Sequence, residues 1–370
     1  MPNRLRRKPL PKGGGFLLSG GYLPSVTEVT KMESITRVLV IRFSSMGDVI
    51  LTSPVIRALH AMLEGKVEVH YLTKSAFSDA VSGLEGVEKV WTIVNTTAEV
   101  EEGLRNVGFH YVVDLHDNAR SAFVKRALRT GEGRAFDLTV DKRSFDKILL
   151  VRTGWDRLKG QHVVERYLQT LGPFGSPLEV LKAQGDRGAL SVSTVRSARE
   201  ASSSIVLALG AAHAGKAIPE QHWAKILSGL IEEGQALQLI GGTSEADMAE
   251  RLVHATRGHV VNSCGLSWRE TFEVLSNAAL LIVGDTGAMH AGAAMQTPMV
   301  VVWGCTSPSL GMGPWKPHAS TVELEPTNPE RGRPCSRLGN RCRHSTPCVH
   351  RVSPERIIDA AREVLSRTRP

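Results

Sequence analysis

A chain of 370 residues with 42 % hydrophobic and 22 % charged residues has room for two domains and a sizeable core, and this balance excludes disorder throughout. Aromatic residues at 5 % argue against a base-stacking nucleic-acid surface, and no apolar run approaches the roughly 18–20 residues of a membrane span. The formal charge of +8 sits at the ends: residues 1–31 hold six basic residues against one acid, residues 331–370 hold ten arginines against three acids, and the body between is mildly acidic.

Residues 1–31 read as a disordered basic leader, and Gly breaks its short apolar stretch, so a signal peptide is not expected. Met32 stands just ahead of the first strand and offers a second start. Five cysteines, an odd number in a chain this long, do not look like a secreted disulfide framework, which makes the cytoplasm the default expectation.

From residue 32 the pattern alternates. The run Arg37–Phe43 reads as a buried parallel strand, a polar loop follows over Ser44–Asp48, and Pro54 opens a helix. Strands are expected at 67–72, 89–94 and 111–115, with helices near 98–107 and 119–129. The pattern lapses between about 172 and 200, where the interdomain linker is expected. It resumes with strands at 204–210, 236–241, 259–264, 280–284 and 298–304, separated by helices at 220–233, 244–257, 267–277 and 287–295. A last amphipathic helix covers 354–366. The expected fold is α/β, with two doubly wound domains, 32–190 and 200–350, facing across a cleft. The tail 351–370 is expected to pack back on the first.

In such sheets ligands sit beyond the carboxyl ends of the strands, so the loops there carry the chemistry. Phe43-Ser-Ser-Met-Gly-Asp48 is neither a dinucleotide fingerprint nor a Walker loop. Asp48 beside Gly47 is a candidate general base, although a helix cap is the plainer reading. In Gly284-Asp-Thr-Gly-Ala-Met-His290, Thr286, Gly287 and the next amides make a helix N-terminus suited to an anion. Asp285 can bond sugar hydroxyls, and His290 lies one turn on. Gly210 opens a small-residue loop ending in Lys216, which can neutralise a diphosphate, and Gly241-Gly-Thr243 is a fourth loop of this kind. Each has an ordinary turn as its alternative.

Together these segments resemble glycosyltransferase family 9, the heptosyltransferases of lipopolysaccharide core assembly. The resemblance spans about residues 36–367 and includes RVLVIRFSSMGDVILTSPVIRAL, VVDLHDNARS, LGAAHAGKAIPEQHW, LIGGTSEAD and DTGAMHAGAAMQTPMVVVWGCTSP. It implies a GT-B fold and inverting transfer of a heptose or related sugar from ADP-heptose or another nucleotide sugar to a lipid-anchored acceptor; with no DxD metal motif in the sequence, and a lysine and helix amides able to replace a metal ion, the transfer is expected to be metal-independent. No cofactor is required. Asp48 would be the base and Lys216 the contact to the departing diphosphate. Gly210, Gly241, Thr243, Asp285, Thr286, Gly287 and His290 would bind the donor, and Ser44, Ser45, Gly47, Asn118 and Arg120 the acceptor. Ile218 departs from the aromatic residue common before the proline of the Lys216 loop, and the leader lies outside the family.

Lys125 and Arg129 are expected on a solvated helix face, and Arg120 is the better candidate for an anionic acceptor. Cys335, Cys342 and Cys348 could bind a metal, but their spacing departs from the usual CxxC pairs. Trp303 and Trp315 read as packing residues. The basic C-terminal segment suggests peripheral contact with an anionic inner-membrane face; no nucleic acid is expected as a partner. A nucleotide-sugar epimerase of the same architecture and a non-catalytic nucleotide-sugar-binding protein are the alternatives. The joint presence of Asp48 and Lys216 argues against a degenerate site, and the missing dinucleotide fingerprint argues against a dehydrogenase.

Overall fold

The computed structural model describes residues 35–129, 135–186, 188–192, 204–327 and 332–368. The leader, and with it the expectation of disorder there, lies outside the described residues.

The first half contains β1 (Ile35–Ile41), α1 (Met46–Ile50), α2 (Ser53–Met62), β2 (Lys66–Lys74), α3 (Ser78–Ser82), β3 (Val87–Ile93), α4 (Ala98–Arg105), β4 (Tyr111–Asp114), α5 (Ala119–Leu128) and β5 (Phe136–Thr139), then α6 (Ser144–Thr153), α7 (Val163–Gln169) and α8 (Pro177–Ala183). Its sheet runs β3-β2-β1-β4-β5 with every pair parallel. The second half contains β6 (Ile205–Ala208), α9 (Glu220–Glu232), β7 (Leu237–Gly241), α10 (Ala246–Ala255), β8 (Val260–Cys264), α11 (Trp268–Asn277), β9 (Leu280–Gly284), α12 (Gly287–Met295), β10 (Met299–Val302), β11 (Val322–Leu324) and α13 (Pro354–Thr368). Its sheet is again parallel, in the order β8-β7-β6-β9-β10-β11.

The strands form where continuous apolar runs can be covered on both faces. β6, β9 and β10 are buried from end to end. One apolar cluster runs from Val38, Val40 and Ile50 in the first half to Met289, Val301 and Trp303 in the second, so the halves share a core. A second cluster lies on the other face of the second sheet and takes in Trp223, Val300, Ile357 and Val364. Both sheets reverse strand order beside their first strand, between β1 and β4 and between β6 and β9. The loops after these four strands therefore border the two crevices in which a doubly wound sheet binds ligands.

Three expectations are corrected. The C-terminal helix does not pack back on the first domain: α13 lies against α9, β9 and β10, with Ile357 and Val364 in the second half's core. An amphipathic stripe shows that one face is buried but not against which partner. The linker expected between about 172 and 200 does not begin at 172, because α8 packs on α2; residues 193–203 fall outside the described residues. The polar loop after the first strand already enters a helix, α1, at Met46. Among the described residues no helix is long and apolar enough to cross a membrane.

Candidate active site

Asp48 sits in the first turn of α1, where its carboxylate accepts from the Ser45 amide at 3.1 Å and the Ser45 hydroxyl at 2.8 Å. The helix cap expected at Asp48 falls instead on Ser45, with Asp48 three residues on reaching back to the Ser45 amide, and two further partners go beyond that capping box. Arg42 at the end of β1 places Nη2 2.8 Å from Oδ2, and the Tyr167 hydroxyl of α7 donates to Oδ1 at 3.2 Å. Burial works to raise the Asp48 carboxyl, but the Arg42 guanidinium, with the Ser45 hydrogen bonds behind it, holds it well below the usual carboxylate range. Burial pushes the Tyr167 phenol well up, so Tyr167 remains a donor. The Asp48 side chain is 14 % exposed and lines the cleft.

Across the cleft, the loop after β9 presents Asp285. Lys216 Nζ lies 2.8 Å from its Oδ2, and the Thr306 hydroxyl donates to the same oxygen at 2.6 Å. The ammonium is thus held in place, and the Lys216 side chain is 19 % exposed. Thr286 precedes α12 and makes no side-chain cap, so the first amides of that helix remain available to an anion. His290, on the same helix, is 3 % exposed. Burial pushes its imidazole down to about 4, against the opposing pull of Asp285 and Asp48, and it is neutral at ordinary pH. Its ring packs on Gly47, where a Cβ would collide with it.

The resulting cleft, of about 510 Å³, is lined by Ser44, Ser45, Gly47, Asp48, Lys216, Asp285, Thr286, Gly287 and His290 among others. A recess of about 290 Å³ shares Met46, Ala212, Thr286 and Gly287 with it and continues to Gly210, Gly241, Glu245 and Trp268. Thr243 begins the short turn beside that recess. Eleven of the fourteen residues singled out as catalytic, donor or acceptor contacts therefore line these two adjoining spaces.

Asn118 and Arg120 do not. Asn118 accepts from the Ser121 amide at 3.0 Å and caps α5. Arg120 borders a separate groove with Arg105 and Arg126. The solvated-face reading of Lys125 is corrected: its Nζ lies 2.8 Å from Oδ2 of the fully buried Asp114, a partner on β4 that helix spacing cannot reveal. Arg129 pairs with Asp137 and is mostly exposed. Trp303 is buried and donates to Glu323 at 2.8 Å, while Trp315 stacks on His162 and donates to the Gly188 carbonyl.

Arg42 and Tyr167 were missed. A charged residue closing an apolar strand directly before a functional loop is a signal that could have identified Arg42. Nothing in the sequence links Tyr167 to a carboxylate 119 residues away. The cysteine segment also gains a member: Cys305 joins Cys335, Cys342 and Cys348, and the four sulfurs lie within 4.8 Å of one another. Several C-terminal arginines are engaged inside the chain: Arg333 with Glu325 and the Gly304 and Thr306 carbonyls, Arg343 with the Val151 and Pro334 carbonyls, Arg362 with Glu233.

Residues 97–340 match the model of glycosyltransferase family 9 (heptosyltransferase). Lipopolysaccharide heptosyltransferase 1 of Escherichia coli K12 is 25 % identical over 293 residues, covering 74 % of this chain and 89 % of the relative. Among solved structures, a family 9 glycosyl transferase from Veillonella parvula superposes with a TM-score of 0.71 at 16 % identity, over 90 % of this chain and 98 % of that one. The E. coli ADP-heptose lps heptosyltransferase II does so at 0.67 and 18 % identity, over 90 % and 99 %. The two parallel sheets with their shared cleft are thus the GT-B arrangement, and the chain belongs to glycosyltransferase family 9, the heptosyltransferases.

Proposed function

We propose that this enzyme transfers a heptose from ADP-heptose to the lipid-anchored core of a lipopolysaccharide, with inversion at the anomeric carbon. The observation that carries this reading is the placement of the Asp48 carboxylate and the Lys216 ammonium in one cleft. The lipopolysaccharide heptosyltransferases related to this chain, including the E. coli ADP-heptose enzyme, support the same donor and acceptor.

In this mechanism the acceptor hydroxyl attacks the anomeric carbon from the face opposite ADP, the bond from that carbon to the diphosphate oxygen breaks, and the hydroxyl proton passes to Asp48. Arg42 keeps Asp48 ionised at working pH. A carboxylate held so low is a weak base at rest, but the hydroxyl becomes strongly acidic as its oxygen bonds to the carbon. The base is therefore needed late and need not be strong. The leaving ADP carries its growing charge onto Lys216 and the first amides of α12. These groups supply locally the positive charge that a divalent ion would bring to the diphosphate, which supports a transfer step independent of added metal. The recess lined by Gly210, Gly241, Glu245 and Trp268 has an apolar wall for a base and a carboxylate for sugar hydroxyls, which supports a nucleoside site there.

The acceptor would enter over Ser44, Ser45 and Gly47. Arg337, on the cleft's edge, replaces Arg120 as the cation facing an anionic core. Peripheral contact with an anionic inner-membrane face belongs to the same reading and rests on exposed Arg337 and Arg341, since other C-terminal arginines are engaged within the chain. A panel of nucleotide sugars tested for thermal stabilisation checks the donor: ADP-heptose should raise the melting temperature most, and an equal response to UDP- or GDP-sugars would contradict the assignment.

A further inference from the structure

We propose that Cys305, Cys335, Cys342 and Cys348 hold one thiophilic divalent cation, zinc or iron, and that this centre fixes the loop 335–342 that seats Lys216. The centre stands on its own geometry; only the consequence for the donor rests on the role proposed for Lys216.

The sulfurs form a cage. All four lie within 4.8 Å of one another, and Cys348 is 3.6 Å from both Cys335 and Cys342. A disulfide requires about 2.05 Å. A tetrahedral ion with metal–sulfur bonds of about 2.3 Å separates its sulfurs by about 3.8 Å, and the observed spacing is close to that edge. The group contains four cysteines and no carboxylate or imidazole, and a tetrahedral four-sulfur donor set selects zinc or iron over magnesium or calcium. Cys305, Cys335 and Cys348 are buried and only Cys342 is partly exposed.

The segment needs such a pin. Between Leu324 and Cys348 the described residues form no helix or strand. The cysteines gather this stretch onto the second sheet: Cys305 follows β10, Cys335 and Cys342 bracket the loop, and Cys348 opens the short turn before α13.

The loop reaches the donor site through backbone contacts. The Cys335 amide donates to the Cys305 carbonyl at 2.8 Å, the Cys305 amide to the Gly215 carbonyl at 2.9 Å, and the Gly215 amide to the Gly339 carbonyl at 3.0 Å. Gly339, at φ +79°, packs on the aliphatic chain of Lys216 so closely that any Cβ there would overlap it. Both the backbone before Lys216 and the side of its chain are therefore set by residues that the cysteines hold.

The test measures metal and ADP binding separately. Full-length protein purified under reducing conditions is analysed by elemental mass spectrometry, and ADP affinity is measured by calorimetry. The expected result is one equivalent of metal per chain. Iron is distinguished by the visible thiolate charge-transfer band that appears when the ferrous site is oxidised by ferricyanide, and zinc by a colourless site that gains the d–d bands of tetrahedral cobalt thiolate only when cobalt replaces it. C342S should lose the metal and bind ADP about tenfold more weakly or worse, whereas C264S, outside the cage, should retain both. If C342S does not fold, a cobalt titration of chelator-stripped wild-type protein decides the metal question. Substoichiometric metal with no cobalt uptake, or a disulfide among the four cysteines, overturns the proposal. Folded, metal-free C342S with unchanged ADP affinity overturns the link to Lys216. An unchanged ADP affinity in Lys216→Met would instead remove Lys216 from the donor site and leave the metal centre standing.

Discussion

Gly47 of the first half lies against the imidazole of His290 in the second, closer than any residue with a Cβ could approach. The contact joins α1, which carries the candidate base, to α12, whose N-terminus lines the same cleft. Met46 packs on Gly287 one turn away. The two sides of the cleft are thus held in register by small residues on both helices.

Gly47→Val should therefore act on both stability and rate. Overpacking of this kind costs about 1–3 kcal/mol, so the melting temperature should fall by a few degrees. Since Asp48 is the next residue, kcat/KM should fall at least about tenfold, with Gly47→Ala milder on both counts. Wild-type kinetics in Gly47→Val would show that α1 and α12 can separate without consequence.

Lys216→Met removes the ammonium beside Asp285 and leaves that buried carboxylate with Thr306 as its remaining side-chain partner. Losing a charged hydrogen bond costs about 1.5–3 kcal/mol, so ADP should bind about 10–100-fold more weakly. Calorimetry with ADP alone reads this without any acceptor.

The pH dependence of stability follows from three imidazoles. His116, His162 and His290 are each pushed down to about 4, burial being the largest cause, against about 6.5 in an unfolded chain. The fold favours their neutral forms. Their stabilising contribution is fully present above about pH 6.5 and is lost as the pH falls toward 4. For buried His290 this amounts to roughly 3 kcal/mol. Asp48 has the opposite charge and a depressed folded value, so its contribution is lost only at more acidic pH. Melting temperatures measured from pH 8 to 4.5 should fall most steeply below 6.5, and less steeply in His290→Gln. A slope unaffected by that substitution would place the acid sensitivity elsewhere.

Much of this architecture was legible because buried parallel strands are written as unbroken apolar runs. Leu280–Gly284 and the helix Gly287–Met295 were anticipated to the residue. β5, reading Phe-Asp-Leu-Thr, and β11, reading Val-Glu-Leu, were not, since both are short edge strands with polar residues and incomplete burial. Within the site, the loops after β1, β6 and β9 announced themselves by glycine beside a charged residue. Partners supplied by distant elements did not. Arg42 was absorbed into an apolar run, Tyr167 arrives from α7, and Cys305 lies 30 residues before the next cysteine of its group. Asp114 takes Lys125 out of solvent across a strand–helix contact, which a helix-face argument cannot see.

The central claim is that Asp48 accepts the acceptor's proton in transfer from ADP-heptose, and the most direct measurement is acceptor-dependent ADP release by wild type and Asp48→Asn. The substitution keeps the shape and removes the base. Wild type should release ADP from ADP-heptose only when a lipopolysaccharide core acceptor is present. Asp48→Asn should bind ADP-heptose with unchanged affinity and turn over about 10²–10⁴-fold more slowly. Near-normal turnover by Asp48→Asn would contradict the account.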